Sequence, residues 1–105
     1  MKKDILRIKS KIFVYNGVAA WRFLVISKGE SAEIRAKYAK RARGWGSIPV
    51  EARINNTSWT TSIFPDTKSG CYLLPLKKEI RKKEGILDFD VVDFELKITG
   101  GAFLL

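Results

Sequence analysis

The sequence predicts a small domain that is mainly β with two short helices, and three observations carry that prediction. Separate stretches alternate apolar and polar residues with a period of two, as in Leu6, Ile8, Ser10, Ile12 and Val14 and again in Val92, Phe94, Leu96 and Ile98. The segment from Arg43 to Arg81 concentrates turn chemistry: it holds all three prolines, two of the three tryptophans and the only cysteine, so backbone geometry shapes it more than propensity does. Only two stretches carry helical start and stop signals. A chain of 105 residues, 46% hydrophobic and 11% aromatic, is expected to form one domain over residues 1–99 with a tail at 100–105. At this length folding buries roughly two thirds of the unfolded surface, enough for a core without staples.

In chain order, the first strand spans 6–14, with Arg7, Lys9, Lys11 and Phe13 on its wet face. Asn16-Gly17 is a favoured pair for a tight hairpin, and Trp21 to Ile26 returns as a strand that is apolar on both faces and therefore central. Ser27-Lys28-Gly29-Glu30 has capping-box spacing, in which hydroxyl and carboxylate reach each other's orphan backbone donors. The helix it opens is expected to bury small apolar residues among Ala32, Ile34, Ala36, Tyr38, Ala39 and Ala42. Glu33, Lys37, Lys40 and Arg41 fall on its polar face, and Gly44 ends it.

Ile48, Val50, Ala52 and Ile54 form the next strand, where Pro49 fits the first positions or an edge. Asn55-Asn56 turns the chain into an arm built on Trp59, Thr61 and Ile63. Residues 65–70 are a loop, 71–74 a short strand, and Pro75 is placed to open a helix that Gly85 ends, with Leu76 and Ile80 on its inner side. Val92 to Ile98 closes the order. There is no repeat, low-complexity stretch or linker.

Twenty Lys and Arg against eleven Asp and Glu give a net charge of +9, and with no histidine it holds across physiological pH. The cations cluster at Lys2–Lys11, at Arg35–Arg43 and at Lys77–Lys83, while Asp88, Asp90, Asp93 and Glu95 make the last segment acidic. Such a field favours nucleic acid or phosphorylated small molecules, or serves only to keep the protein soluble. The single Cys71 rules out an internal disulfide and a zinc ribbon and fits a reducing compartment. Met1-Lys2-Lys3-Asp4 leads into alternating polar residues where a signal peptide would be apolar, and no run approaches the roughly 20 apolar residues of a membrane span. A cytoplasmic protein without a membrane partner is the expectation.

Four spaced motifs then point to a family. These are Trp21 to Phe23, Arg43-Gly44-Trp45-Gly46-Ser47-Ile48-Pro49-Val50, Trp59-Thr60-Thr61-Ser62-Ile63-Phe64-Pro65-Asp66, and Tyr72-Leu73-Leu74-Pro75-Leu76-Lys77 with Ile80-Arg81-Lys82. Together they resemble the domain of unknown function family numbered 1905 over nearly the whole chain. The resemblance implies a small double-split β-barrel capped by helices, similar in shape to barrels in bacterial transition-state regulators and antitoxins that bind DNA. It also implies an association with bacteriocin protection, since some relatives carry a second domain of that kind. It supplies a fold and no activity. Where the family tends to have Gly-Asp before its last strand, this chain has Phe89-Asp90, a departure that bears on that turn.

Catalysis is not expected. No Ser/His or Cys/His arrangement and no histidine metal site can form, and no cofactor is implied. A Ser62/Lys77 pair, or carboxylates from Asp66, Asp88 and Asp90, are better explained as ordinary hydrogen-bonding residues of strands and turns. The leading expectation is a binding module with a phosphate-bearing ligand or nucleic acid. Its candidate anion site comprises Arg43, the backbone of Gly44, Gly46 and Ser47, and Trp59, Lys77 and Arg81. The Gly44–Ser47 loop lacks the lysine of a phosphate-binding P-loop and also reads as a tight turn in which Trp45 plugs the core. Stacking on a base needs exposed rings, and Trp21, Trp45 and Trp59 read as core residues before contact residues, with both readings open. The alternative is a protein-interaction or accessory module, a homodimer included, using a strand edge or the Ala102–Leu105 tail.

Overall fold

The predicted alternation becomes six strands and two helices in the computed structural model, which describes residues 5–15, 21–38 and 46–99. The order is β1 (Ile5–Val14), β2 (Arg22–Val25), α1 (Lys28–Tyr38), β3 (Ile48–Ile54), β4 (Thr57–Pro65), β5 (Tyr72–Pro75), α2 (Lys78–Glu84) and β6 (Val91–Ile98). All neighbouring strands are antiparallel and close into a barrel in the order β1-β2-β5-β4-β3-β6. The expected helix-capped barrel is therefore present. The Asn16-Gly17 turn, Gly44 as the end of the first helix, Trp45 as a plug and the 100–105 tail lie outside the described residues.

Two long strands each serve both halves of the barrel. β1 pairs with β6 through Ile5–Lys11 and with β2 through Ile12–Val14. β4 pairs with β3 through Thr57–Ile63 and with β5 through Phe64 and Pro65. Pro49 sits second in β3, where its carbonyl accepts from the Thr99 amide at 3.0 Å and its missing N–H costs little. The inward row of each strand supplies the core, with Ile12, Leu24, Ile48, Val50, Ile63, Leu74 and Leu96 almost wholly removed from water. Because β2 and β5 run antiparallel side by side, the helices that follow them leave from opposite ends of the barrel.

The helices depart from expectation in instructive ways. The Ser27 hydroxyl accepts from the Glu30 amide at 3.2 Å, as a cap should, but it donates to the Glu30 carboxylate at 2.7 Å, so that carboxylate bonds the serine side chain. The buried residues of α1 are Ser31, Ile34 and Tyr38, while Ala32 and Ala36 face water. Ser31 is buried because its hydroxyl donates to Ile26 O at 3.0 Å and accepts from the Tyr72 amide at 2.9 Å, joining the end of β2 to the start of β5. Pro75 does not open α2. It pairs with Phe23 as the last residue of β5, Leu76 N donates to Arg22 O at 2.9 Å, and Lys77 stays extended at ψ 149° as the N-cap. Sheet pairing thus delays the helix past the proline. Gly85 ends it in the left-handed conformation at φ 64°, and Ile86 N bonds Arg81 O at 2.8 Å.

The Phe89-Asp90 turn is also built without glycine. Phe89 takes φ 68°, Asp90 N donates to Leu87 O at 3.1 Å, and the Asp90 carboxylate accepts from Leu87 N at 2.8 Å. Among the described residues no helix is long and apolar enough to cross a membrane.

Candidate functional site

A two-residue pleat sends the odd-numbered residues of β1, β2 and β5 outward, opposite to the core row. On β1 and β2 those outward positions turn aromatic as the strands approach each other's ends. Phe13 pairs with Phe23, and Tyr15 N donates to Trp21 O at 2.8 Å, which carries the ladder one step further. Trp21 and Phe23 lie two residues apart on the same face and stack, with ring centroids 6.0 Å apart and planes inclined by 17°. Phe13, Tyr15 and Trp21 remain 49%, 55% and 52% exposed. With Val25 and Leu73 they line a groove of about 780 Å³ that runs toward Asp66, Lys68 and Ser69.

The core reading of Trp21 is thus corrected. Residue 21 sits on the outward row, and Leu24 and Ile26 supply the burial of this segment. Trp59 is on the inward row of β4 and packs against the core, its Nε1 buried without a hydrogen-bond partner among the described residues.

The candidate anion residues are divided between the two ends of the barrel. Arg43 and Gly44 lie outside the described residues. Gly46, at φ 73°, and the buried Ser47 stand at the α1 end. A Cβ at Gly46 would come within 3.1 Å of the Pro65 ring. Lys77 caps α2 at the other end and is exposed, and Arg81 donates from Nε to Leu76 O at 3.2 Å. Trp59 lies near that same end, two residues beyond Thr57, whose hydroxyl donates to Glu84 of α2.

Electrostatics separates matched from unmatched cations. Along β1 and β6, Arg7 meets Glu95 at 3.3 Å and Lys9 meets Asp93 at 3.9 Å, but the next outward lysine, Lys11, faces Val91. Lys11 adjoins the aromatic rows. Several carboxylates are already engaged. Arg22 forks onto Asp88 with two bonds of 2.9 Å, holding the Asp88 carboxyl below its ordinary range. Glu84 is lowered by the Thr57 hydroxyl and then by the Asn55 amide. Asp66 is lowered chiefly by the Ser69 hydroxyl at 2.7 Å. These are acceptor roles in turns and helix docking, as the residue types predict.

A family model described as a domain of unknown function, DUF1905, matches residues 9–96. The chain belongs to the DUF1905 family. No curated protein matches it. The match takes in every aromatic residue of the groove, so the face described above is part of the DUF1905 domain itself. Sequence reasoning passed over Phe13, Tyr15 and Phe23 as site residues. The usable signal was Phe13 on the wet face of its strand, with aromatic residues at matching positions across the hairpin.

In chemical terms this DUF1905 face presents flat rings to solvent beside Lys11, which has no ion pair among the described residues, and Lys68, which lies near Asp66. That combination stacks planar groups and attracts negative charge.

Proposed function

We propose that this domain is a non-catalytic binding module that takes single-stranded nucleic acid across the outer face of β1, β2 and β5. One observation carries the reading: the outward-facing cross-strand pairs Phe13/Phe23 and Tyr15/Trp21, in which Phe23 is half-buried and the other three rings are exposed, form a ring-bearing platform on a chain of net charge +9. Bases of a single strand are free to stack on such rings, each worth about 1–3 kcal/mol. A duplex keeps its bases inside and offers only phosphates to a sheet face. Lys11 and Lys68 flank the platform, and continuing the β2–β5 register beyond Pro75 brings Lys77 opposite Trp21. Of the candidate anion residues, the proposal takes in Lys77, the N-cap of α2, and leaves Arg81 further along that helix. A reducing cytoplasm is the proposed setting.

The test is fluorescence anisotropy of labelled single-stranded and duplex oligonucleotides of the same length. Single strands should bind more tightly, and Trp21→Ala should weaken them about tenfold or more while leaving the fold intact. Equal affinity for duplex, or no effect of Trp21→Ala, overturns the reading.

A protein partner on the same face is the second reading, and the apolar Val25 and Leu73 in the groove favour it. The family's association with bacteriocin protection would belong to this alternative. An apolar interface would tolerate salt, whereas phosphate contacts would weaken steeply.

A further inference from the structure

We infer that Phe89 is a binding residue of this platform, held in a strained turn so that the ring-bearing surface reaches a third strand. The inference rests on the nucleic-acid reading above and extends its site from β1 and β2 onto the loop that precedes β6.

Three observations converge on it. Lys11 pairs with Val91, and Ile12 N donates to Asp90 O at 2.9 Å, so the β1–β6 ladder runs one step past the strand, and Phe89 is the next residue back along the chain, where the register would bring it level with Phe13. Phe13 in turn pairs with Phe23. Phe89, Phe13 and Phe23 therefore follow one another across three adjacent segments of backbone, perpendicular to the strands. Neighbouring strands are about 4.8 Å apart, so the three positions lie close enough together for bases of one single strand to reach them.

The second observation is the backbone of Phe89 itself. Its φ of 68° lies in the left-handed region that bulky residues rarely adopt, yet the ring gains little from folding, being 62% exposed. The Leu87–Asp90 hydrogen bonds need the turn but not a ring at residue 89, which glycine would fill without that strain. The third is the clamp next to it: the two-bond fork from Arg22 to Asp88 ties the loop to the start of β2, immediately after Trp21. Asp88 is accordingly a positioning residue, fixing where the turn stands relative to the rings.

The experiment compares wild type, Phe89→Gly, Phe89→Ala, Phe89→Tyr and Trp21→Ala by thermal melting and by anisotropy with labelled oligothymidylates of increasing length. Phe89→Gly should raise the melting midpoint while weakening binding about fivefold to tenfold. Phe89→Ala should weaken binding equally without that gain, and Phe89→Tyr should restore it. Affinity of wild type should keep rising for one nucleotide beyond the length at which Phe89→Ala stops gaining, a readout that a merely structural role would not move. Unchanged affinity and length profile in Phe89→Gly and Phe89→Ala, with Trp21→Ala still impaired, overturns the inference and leaves the platform standing. Failure of wild type to bind any single strand, or insensitivity to Trp21→Ala, overturns both.

Discussion

Ser31 shows how much a single hydroxyl can decide. It is fully buried, and its two hydrogen bonds satisfy the carbonyl of Ile26, just past β2, and the amide of Tyr72, the first residue of β5. Ser31→Ala would orphan both in the barrel interior, so it should cost about 2–3 kcal/mol, read as a lower denaturant midpoint with the slope unchanged. Nothing local in the sequence announces this residue. Serine early in a helix is ordinary capping chemistry, and its partners are brought to it only when β2 and β5 pair. The same holds for Trp21, whose large ring argued for burial until the register put it on the outward row. Phe13 was legible, because its parity on β1 already set it apart from the core positions.

At the level of the elements, strands were the more readable and helices the less. Period-two patterning needs no distant information, and β1, β3 and β6 fall where it predicts. α1 is different: its buried residues are Ser31, Ile34 and Tyr38, a narrow line that the surrounding alanines obscure. α2 starts later than its proline suggests, since β2 holds Pro75 and Leu76 in the sheet. The end of α2 was legible as a glycine stop, and it is testable. Gly85 adopts φ 64° with open space around its Cα, so Gly85→Ala meets backbone strain alone and should cost about 1 kcal/mol in equilibrium unfolding. The loop around Gly46 was legible only as glycine-rich: its sequence does not announce that Gly46 takes φ 73° and that a Cβ there would come within 3.1 Å of the Pro65 ring.

For the molecule as a whole, the engaged carboxylates set the acid response. Asp66, Glu84 and Asp88 all bind a proton less readily folded than unfolded. Their contribution is therefore complete above the unfolded values of about 4 and is lost as pH falls through the lower folded values. With no histidine to titrate, the melting midpoint should stay flat from about pH 8 to pH 5 and fall below about pH 4. The double variant Glu84→Gln, Asp88→Asn should flatten that acid limb, and a scan of midpoint against pH checks it. Binding should report charge differently. If Lys11, Lys68 and Lys77 each meet one phosphate, the affinity for single strands should fall with salt at a log–log slope of about −2.

The narrow join between β4 and β5 has a further consequence. Those strands share two residue pairs, Phe64 with Leu73 and Pro65 with Tyr72, against seven between β3 and β4. A cylinder tears at its shortest seam. Native-state hydrogen exchange should find the amides of β5 opening by brief sub-global unzipping, while those of β3 and β6 wait for complete unfolding.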